Sequence, residues 1–267
     1  SVLQKMLGVP NPKSRVIARS EAVQLLPALE EYSFTHALYW EDGLVTCPDE
    51  LANVLKREIE DSGGEVFEDC QVNSVSRCDG GFLTKVNSVK DFTRKSKFVL
   101  NLSGIGSNEI ELLQIKRSPF PRFWCRAFNL EIEQLIDPKV ALGVQSPSGR
   151  LFFVVPRGSR SVIGTGYLPF DQGASQLALS EKEISGFLSD FNAAFPGKTF
   201  ASSDVSSIDI GLLPASRIDE GEVALYGAKK VFEDRGYFEV MSTKYTTFLS
   251  QANALVQRVN KLATEVR

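Results

Sequence analysis

The amino-acid sequence predicts a mixed α/β protein of the α+β class, a layered α/β part into which a mostly antiparallel sheet is inserted. Three observations lead there. Between about 45 and 108, one helical pattern is followed by strand patterns and glycine turns. From about 110 the texture becomes strand-rich, with apolar and polar residues alternating in twos. From 236 a short apolar run stops at a hydroxyl-rich turn, and a long helical stripe follows to the end.

Residues 1–45 carry Pro10, Pro12 and Pro27 and no sustained period, apart from a short helical segment at SEAVQLLPAL. The first clear helix is CPDELANVLKREIEDSGG. Pro48 suits its first position, Asp49 and Glu50 put negative charge in its first turn, and Leu51, Val54, Leu55 and Ile59 share one face. Gly63 and Gly64 supply its stop. EVFEDCQVNSVSR reads as a strand, and DGG at 79–81 turns it into FLTKVNSV. KDFTRKSK reads as a solvated hairpin loop, and KFVLNLSGIGS as a strand ending in a glycine turn.

RFWCRAFNLEI alternates, with Phe123, Cys125, Ala127 and Asn129 on one face and Trp124, Arg126, Phe128 and Leu130 on the other. RLFFVVPRGSRSVIGTGY reads as two strands joined at Pro156, Arg157 and Gly158. Ser180 and Glu183 form a capping box ahead of a helix striped by Ile184, Phe187, Leu188, Phe191 and Phe195, which Pro196 and Gly197 end. SSDVSSIDIGLLP is a further strand. The last helix carries Phe248, Ala252, Leu255, Val259, Leu262 and Val266 at spacings of four and three, a core-facing stripe.

Composition narrows the function classes. With 43% hydrophobic and 24% charged residues, the chain of 267 can bury a substantial core. A net charge of −3 and no basic stripe speak against a nucleic-acid partner. No apolar run approaches the roughly 18 residues that span a bilayer. Cys47, Cys70, Cys78 and Cys125 show neither CxxC spacing nor a disulfide framework, which points to free thiols in a reducing, cytoplasmic setting. With His36 as the single histidine, no metal site is expected.

The junction VMSTKYTTF leaves two readings open. Its hydroxyls could simply cap the following helix. Alternatively, a strand-to-helix turn aims backbone N–H groups and the Lys244 ammonium at a ligand with negative charge.

Four blocks in order, YWEDGLVTCPDELANVLKREIEDSGGEVF, FVLNLSGIGS, RLFFVVPRGSRSVIGTGY and VMSTKYTTF, together resemble the FAD-dependent glycerol-3-phosphate dehydrogenases within the D-amino-acid-oxidase-like flavoproteins. The second is similar to the family's V-N-A-T-G-P-W turn, the third to its F-V-x-P and I-G-T-T-D strands, and the fourth to V-x-G-G-K-x-T-T-Y. The resemblance covers residues from about 38 to the end. It implies that 1–109 is the remnant of an FAD domain without its first βαβ segment, 110–235 an antiparallel-sheet substrate domain, and 236–267 the FAD domain's last turn and helix. The G-x-G-x-x-G turn that would take the pyrophosphate is not in the sequence, which implies a longer parent with roughly a hundred or more additional residues.

By the same resemblance, Val72, Ser103, Gly104, Ser242, Thr243, Lys244, Tyr245, Thr246 and Thr247 are the cofactor-binding positions, with Val72 bordering the adenine. Lys244, Arg126 and Arg157 are the candidate contacts to a small anionic substrate, while no catalytic residue is assigned. Several departures bear on substrate. Leu213 stands at the family's phosphate-binding arginine, Gly166 and Tyr167 follow Thr165 where the family has T-D, Ala127 or Phe128 falls at its histidine, and Ser242 and Thr243 replace a glycine pair. The implied activity is hydride transfer from a substrate C–H to FAD in the parent, with quinone or oxygen as the electron acceptor and a peripheral membrane or quinone contact as the parent's expected partner. Oxidation of an amino acid or hydroxy acid, or a degenerate binding or structural module, are the alternatives. The chain alone is expected to be inactive and to hold no FAD.

Overall fold

The structure, a computed structural model, describes residues 14–120, 123–137, 139–170, 177–195, 198–219, 221–227 and 230–265. In chain order the elements begin with β1 (Ser14–Ala18), α1 (Arg19–Leu25) and β2 (His36–Trp40). There follow α2 (Pro48–Asp61), β3 (Gln71–Cys78), β4 (Gly81–Asn87), β5 (Phe92–Ser96), β6 (Val99–Asn101) and β7 (Glu111–Leu113). Next come β8 (Phe123–Glu133), β9 (Leu142–Gln145), β10 (Leu151–Arg157), β11 (Arg160–Pro169), α3 (Glu181–Ala194), β12 (Ser207–Asp219) and β13 (Glu222–Leu225). The chain closes with β14 (Lys230–Asp234), β15 (Tyr237–Met241) and α4 (Phe248–Glu265). These elements divide between two compact units, one made of Trp40–Pro119 with 230–265, the other of Ser14–Tyr39 with 120–227.

The second unit is an antiparallel sheet in the order β13-β12-β8-β11-β10-β9. Alternation on β8 sends Phe128, Leu130 and Ile132 into a core with Phe152 and Val154 of β10 and Ile163 of β11. Helix α3 covers this face. Phe187 meets Phe128 at 5.0 Å and Phe152 at 5.2 Å, and Phe191 meets Phe152 at 5.4 Å, all edge to face. The capping box is present as read: Ser180 Oγ accepts from the Glu183 amide, and the Glu183 carboxylate accepts from the Ser180 amide. Gly166 is a packing requirement, since a Cβ there would lie 2.2 Å from the Phe128 ring.

The first unit holds the sheets β5-β4-β3-β7 and β14-β15-β6. Its cores join Val75, Phe82, Ile110, Ile115 and Tyr237 in one cluster and Phe238, Val240 and Leu255 in another. Arg77 of β3 clamps the β14–β15 hairpin. It donates to the Asp234 carboxylate at 2.9 Å and to the carbonyls of Asp234, Arg235 and Gln114 at 2.7, 3.2 and 3.0 Å. The guanidinium also lies over the Phe82 ring at 5.0 Å. Burial pushes the Asp234 carboxyl up, but the Lys116 amide and Arg77 outweigh it and hold the group below its ordinary 3.8.

Several readings differ from the structure. KDFTRKSK contains strand β5 rather than a free loop, because Phe92 packs on Phe67 at 5.1 Å while Arg94 covers both rings. The two short strands β1 and β2 pair in a stretch read as unpatterned. The division at 110 falls inside the first unit, since β7 pairs in parallel with β3 and Ile110 and Ile115 enter its core. The division at 235 splits the hairpin β14–β15, and residues 14–39 belong to the second unit, where Leu26 joins the core. Helix α2 starts with Pro48 as read, yet no residue of it is buried. Gly197, Pro196 and Val266 lie outside the described residues.

Replacing Arg77 by Met should cost up to about 3–5 kcal/mol in urea unfolding, because it leaves the buried Asp234 carboxylate with only the Lys116 amide and a 3.5 Å contact to Arg235. An unchanged midpoint would refute the clamp. With a folded pKa below 3.8, Asp234 contributes stability that is complete above that value and fades as pH falls through the lower one. Asp234→Asn should flatten this acid limb.

Candidate functional site

Strands β6 and β15 run parallel, with Val99, Leu100 and Asn101 opposite Tyr237, Phe238 and Glu239. Each delivers the chain into a turn at its carboxyl end. β6 leads to the 3₁₀ turn Gly104–Asn108, and β15 leads through Ser242–Lys244 to the 3₁₀ turn Tyr245–Thr247 and then α4. Carboxyl ends of adjacent parallel strands are where open α/β sheets take ligands. The pairing thus brings the two turns singled out in the sequence onto one edge of one sheet.

The first turn is held from beneath by Asn101. This buried side chain donates to the Tyr237 hydroxyl at 2.9 Å and accepts from the Ser103 amide at 3.2 Å and hydroxyl at 2.6 Å. Gly104 follows with φ +60, and a Cβ there would meet nothing within 4 Å. Backbone conformation, not crowding, calls for glycine, and the backbone face beside it is open. Next to the turn is a cleft of about 340 Å³ whose walls include Val72 and Val75 of β3 and Val99 of β6, with Ser103, Gly106 and Glu109 at its edge. Val72 and Ser103 therefore line one cleft.

The second turn is braced by its own side chains. Its hydroxyls are used locally: Thr247 donates to the Lys244 carbonyl at 2.7 Å, and the Gln251 amide donates to Ser242 Oγ at 2.8 Å and to Thr247 Oγ1. The Tyr245 hydroxyl donates to the Pro48 carbonyl at 3.3 Å. Lys244, Tyr245 and Thr246 are exposed at the start of the helix, and Thr243 is half-buried. The Thr247 and Ser242 hydroxyls bond a carbonyl and the Gln251 side chain rather than cap the helix start, and the Lys244 ammonium remains exposed.

These residues fit parts of a flavin dinucleotide. An apolar cleft with hydroxyl and amide groups at its edge suits the adenosine end. The Lys244 turn at the α4 N-terminus suits a group that gathers negative charge. Nothing among the described residues forms a strand–glycine turn–helix cradle for the pyrophosphate.

Arg126 and Arg157 lie in the second unit, and both are engaged. Arg126 pairs with Glu183, donates to the Ala178 carbonyl at 2.7 Å, and holds the Glu183 carboxyl below its ordinary range. Arg157 lies 2.7 Å from the Asp209 carboxylate and 3.6 Å from that of Glu131. Leu213, at the family's arginine position, pairs with Cys125 across β12 and β8. Burial pushes the Cys125 thiol up to about 11, and all four cysteines are unpaired. Among the described residues no group of His, Cys, Asp and Glu could hold a metal ion. Asn101, Tyr237 and Glu109 were not singled out in the sequence; the one legible signal was a lone asparagine inside an apolar strand run.

The sequence profile of the DAO family, described as FAD dependent oxidoreductase, matches residues 2–241. No curated protein sequence matches the chain significantly. Among solved structures, the chain is similar to the glycerol-3-phosphate dehydrogenase from Bacillus halodurans complexed with FAD, at 18% identity and a TM-score of 0.70. That match covers 94% of this chain and 51% of the other, so the chain spans about half its length. It is also similar to the L-proline dehydrogenase from P. horikoshii, at 16% identity and a TM-score of 0.66, over 100% of this chain and 67% of the other. At such identities the likeness is one of fold.

Replacing Asn101 by Leu, which keeps the branched shape and removes the shared amide, should cost about 1–3 kcal/mol in denaturant unfolding. Ser103→Ala should cost about 1 kcal/mol or less. Equal losses would mean that the Asn101 amide does not anchor the turn.

Proposed function

The chain belongs to the DAO family of FAD dependent oxidoreductases, and from that premise we propose that it is the substrate-domain and late flavin-domain part of a dehydrogenase acting on a small carboxylate. When bound, FAD supplies the hydride acceptor for a substrate C–H beside an amine or hydroxyl. The residues that would hold it are Val72 and Ser103 at the cleft, Gly104 in the adjoining turn, and Ser242, Thr243, Lys244, Tyr245, Thr246 and Thr247 at the helix end. There the orphan amides of α4 and the Lys244 ammonium favour partial negative charge. The Cβ atoms of Ser242 and Thr243 keep ligands further from the backbone than a glycine pair does.

The observation that carries the substrate class is where the cations are committed. Of the three candidate substrate contacts, Arg126 and Arg157 already face carboxylates, and Lys244 is exposed. Leu213 stands where a phosphate-binding enzyme of this family places arginine. A phosphate dianion is gripped best by a planar, bidentate guanidinium, whereas a monoanionic carboxylate needs one countercharge. The two structural neighbours are named for glycerol 3-phosphate and for L-proline, so the fold hosts both kinds of substrate. Oxidation of glycerol 3-phosphate is the second reading, supported by the order of the four sequence blocks. The free thiols support a cytoplasmic location. No helix among the described residues is long and apolar enough to cross a membrane, and a quinone acceptor at a membrane surface is compatible with the reading.

Two measurements test it. The chain as given should purify without stoichiometric flavin absorbance, because the described residues offer no pyrophosphate cradle; a stoichiometric yellow protein refutes that. In the parent protein, kcat/KM for glycerol 3-phosphate should be poor and should rise about 30-fold or more in Leu213→Arg. Lys244→Ala should abolish turnover of any substrate. Efficient glycerol 3-phosphate turnover that survives Lys244→Ala would overturn the carboxylate reading. Failure of every candidate to bleach the flavin anaerobically would leave a binding or structural module.

A further inference from the structure

The cleft between β3 and β6 carries one feature that the cofactor positions do not use. Among its lining residues a single side chain is charged, Glu109, and neither lysine nor arginine is present. Glu109 follows the Gly104–Asn108 turn, is exposed, and accepts from the Gln71 side-chain amide at 3.0 Å. Gln71 begins β3 and lies next to Val72, so the bond ties the carboxylate to the same strand end that borders the cleft. A carboxylate has about four acceptor sites, and one of them is taken by Gln71. Of the other polar side chains, Asn101 is committed to Tyr237 and Ser103, while Thr84 and Cys70 add neutral groups to the lining. What remains is a slot with valine walls and a fixed acceptor of negative charge at its edge.

We propose that this cleft selects a neutral nucleoside over its phosphorylated forms, and that Glu109 is the specificity-determining residue. The proposal rests on the reading of the cleft as the site of the flavin dinucleotide's adenosine end. The valine walls take the flat ring, and the free acceptor sites of Glu109 take sugar hydroxyls. A phosphate brought to the same edge meets an unpaired negative charge. At about 6 Å in a water-like dielectric, one pair of like unit charges weakens binding about threefold, and a phosphate dianion about tenfold before screening. The consequence for a dinucleotide is positional: its phosphates must leave the cleft away from Glu109.

The test is a titration of the chain with adenosine and with AMP at one ionic strength, followed by backbone amide shifts. Adenosine should shift Val72, Ser103 and Gly106, and AMP should bind the same residues about three- to tenfold more weakly. In Glu109→Gln the two affinities should converge. In Gln71→Ala, which frees the carboxylate without removing it, the preference for adenosine should persist. If adenosine shifts none of these amides, the adenosine reading of the cleft fails and the proposal fails with it. If both ligands shift them with equal affinity, or the preference survives in Glu109→Gln, the adenosine reading stands and the selectivity assigned to Glu109 is refuted.

Discussion

The ligand edge of the first unit depends on one guanidinium. Arg77 projects from β3 and satisfies the tight β14–β15 turn, where Arg235 has φ +46 and Gly236 φ +92. Four donated bonds and the contact with Phe82 leave the side chain no freedom, and the buried Asp234 carboxylate has no alternative cation of equal geometry. Fixing that turn fixes the register of β15, and β15 is the strand on which β6 is aligned. The two turns at the carboxyl ends of β6 and β15 therefore inherit their placement from a contact that neither of them makes. A buried ion pair is weak evidence for net stability but strong evidence for a specified arrangement, and here the arrangement is what positions the cleft.

Local rules made much of the fold legible. The capping box at Ser180 and Glu183, the proline start of α2, and the hairpin at Gly158 each depend on residues within one turn of each other, so the sequence alone sufficed. The misreadings are all cases where a distant partner decides. β5 is a strand because Phe67 lies against Phe92, and β1 and β2 are strands because they pair with each other. Neither contact has a signature in the strand's own residues, since KDFTRKSK by itself is charged and short. Of the candidate site, Val72 and Ser103 came from short motifs on two different sheets that line one cleft. Asn101 remained invisible because its role depends on Tyr237, more than a hundred positions away.

The hydroxyl-rich turn is braced by side-chain bonds that leave its ammonium exposed. A helix start exposes several amides, and a 3₁₀ turn with side-chain bonds satisfies some of them. Here Thr247 and Ser242 are tied to Lys244 and Gln251, which rigidifies the turn that carries the ammonium. A glycine pair would allow closer approach but leave the turn with more conformational freedom. Serine and threonine shift that balance toward rigidity and distance. The change fits a ligand held by charge at the helix end rather than by direct backbone contact.

Charge placement then separates the two kinds of ligand edge within the first unit. At the helix end the exposed group is a cation, Lys244, on the positive pole of α4. At the cleft the exposed group is an anion, Glu109, and the lining has no cation to offset it. The other arginines of this unit that the structure pairs are committed elsewhere: Arg77 and, at 3.5 Å, Arg235 to Asp234, Arg258 to Glu233 at 2.7 Å, and Arg94 to Glu65 at 3.6 Å. On the proposed reading, a ligand that is neutral and hydroxylated at one end and electron-rich at the other matches these charges. A ligand with a phosphate at the cleft does not. The electrostatic asymmetry between the two turns therefore gives a dinucleotide a direction, set by the residues that follow β6 and β15 rather than by the strands themselves.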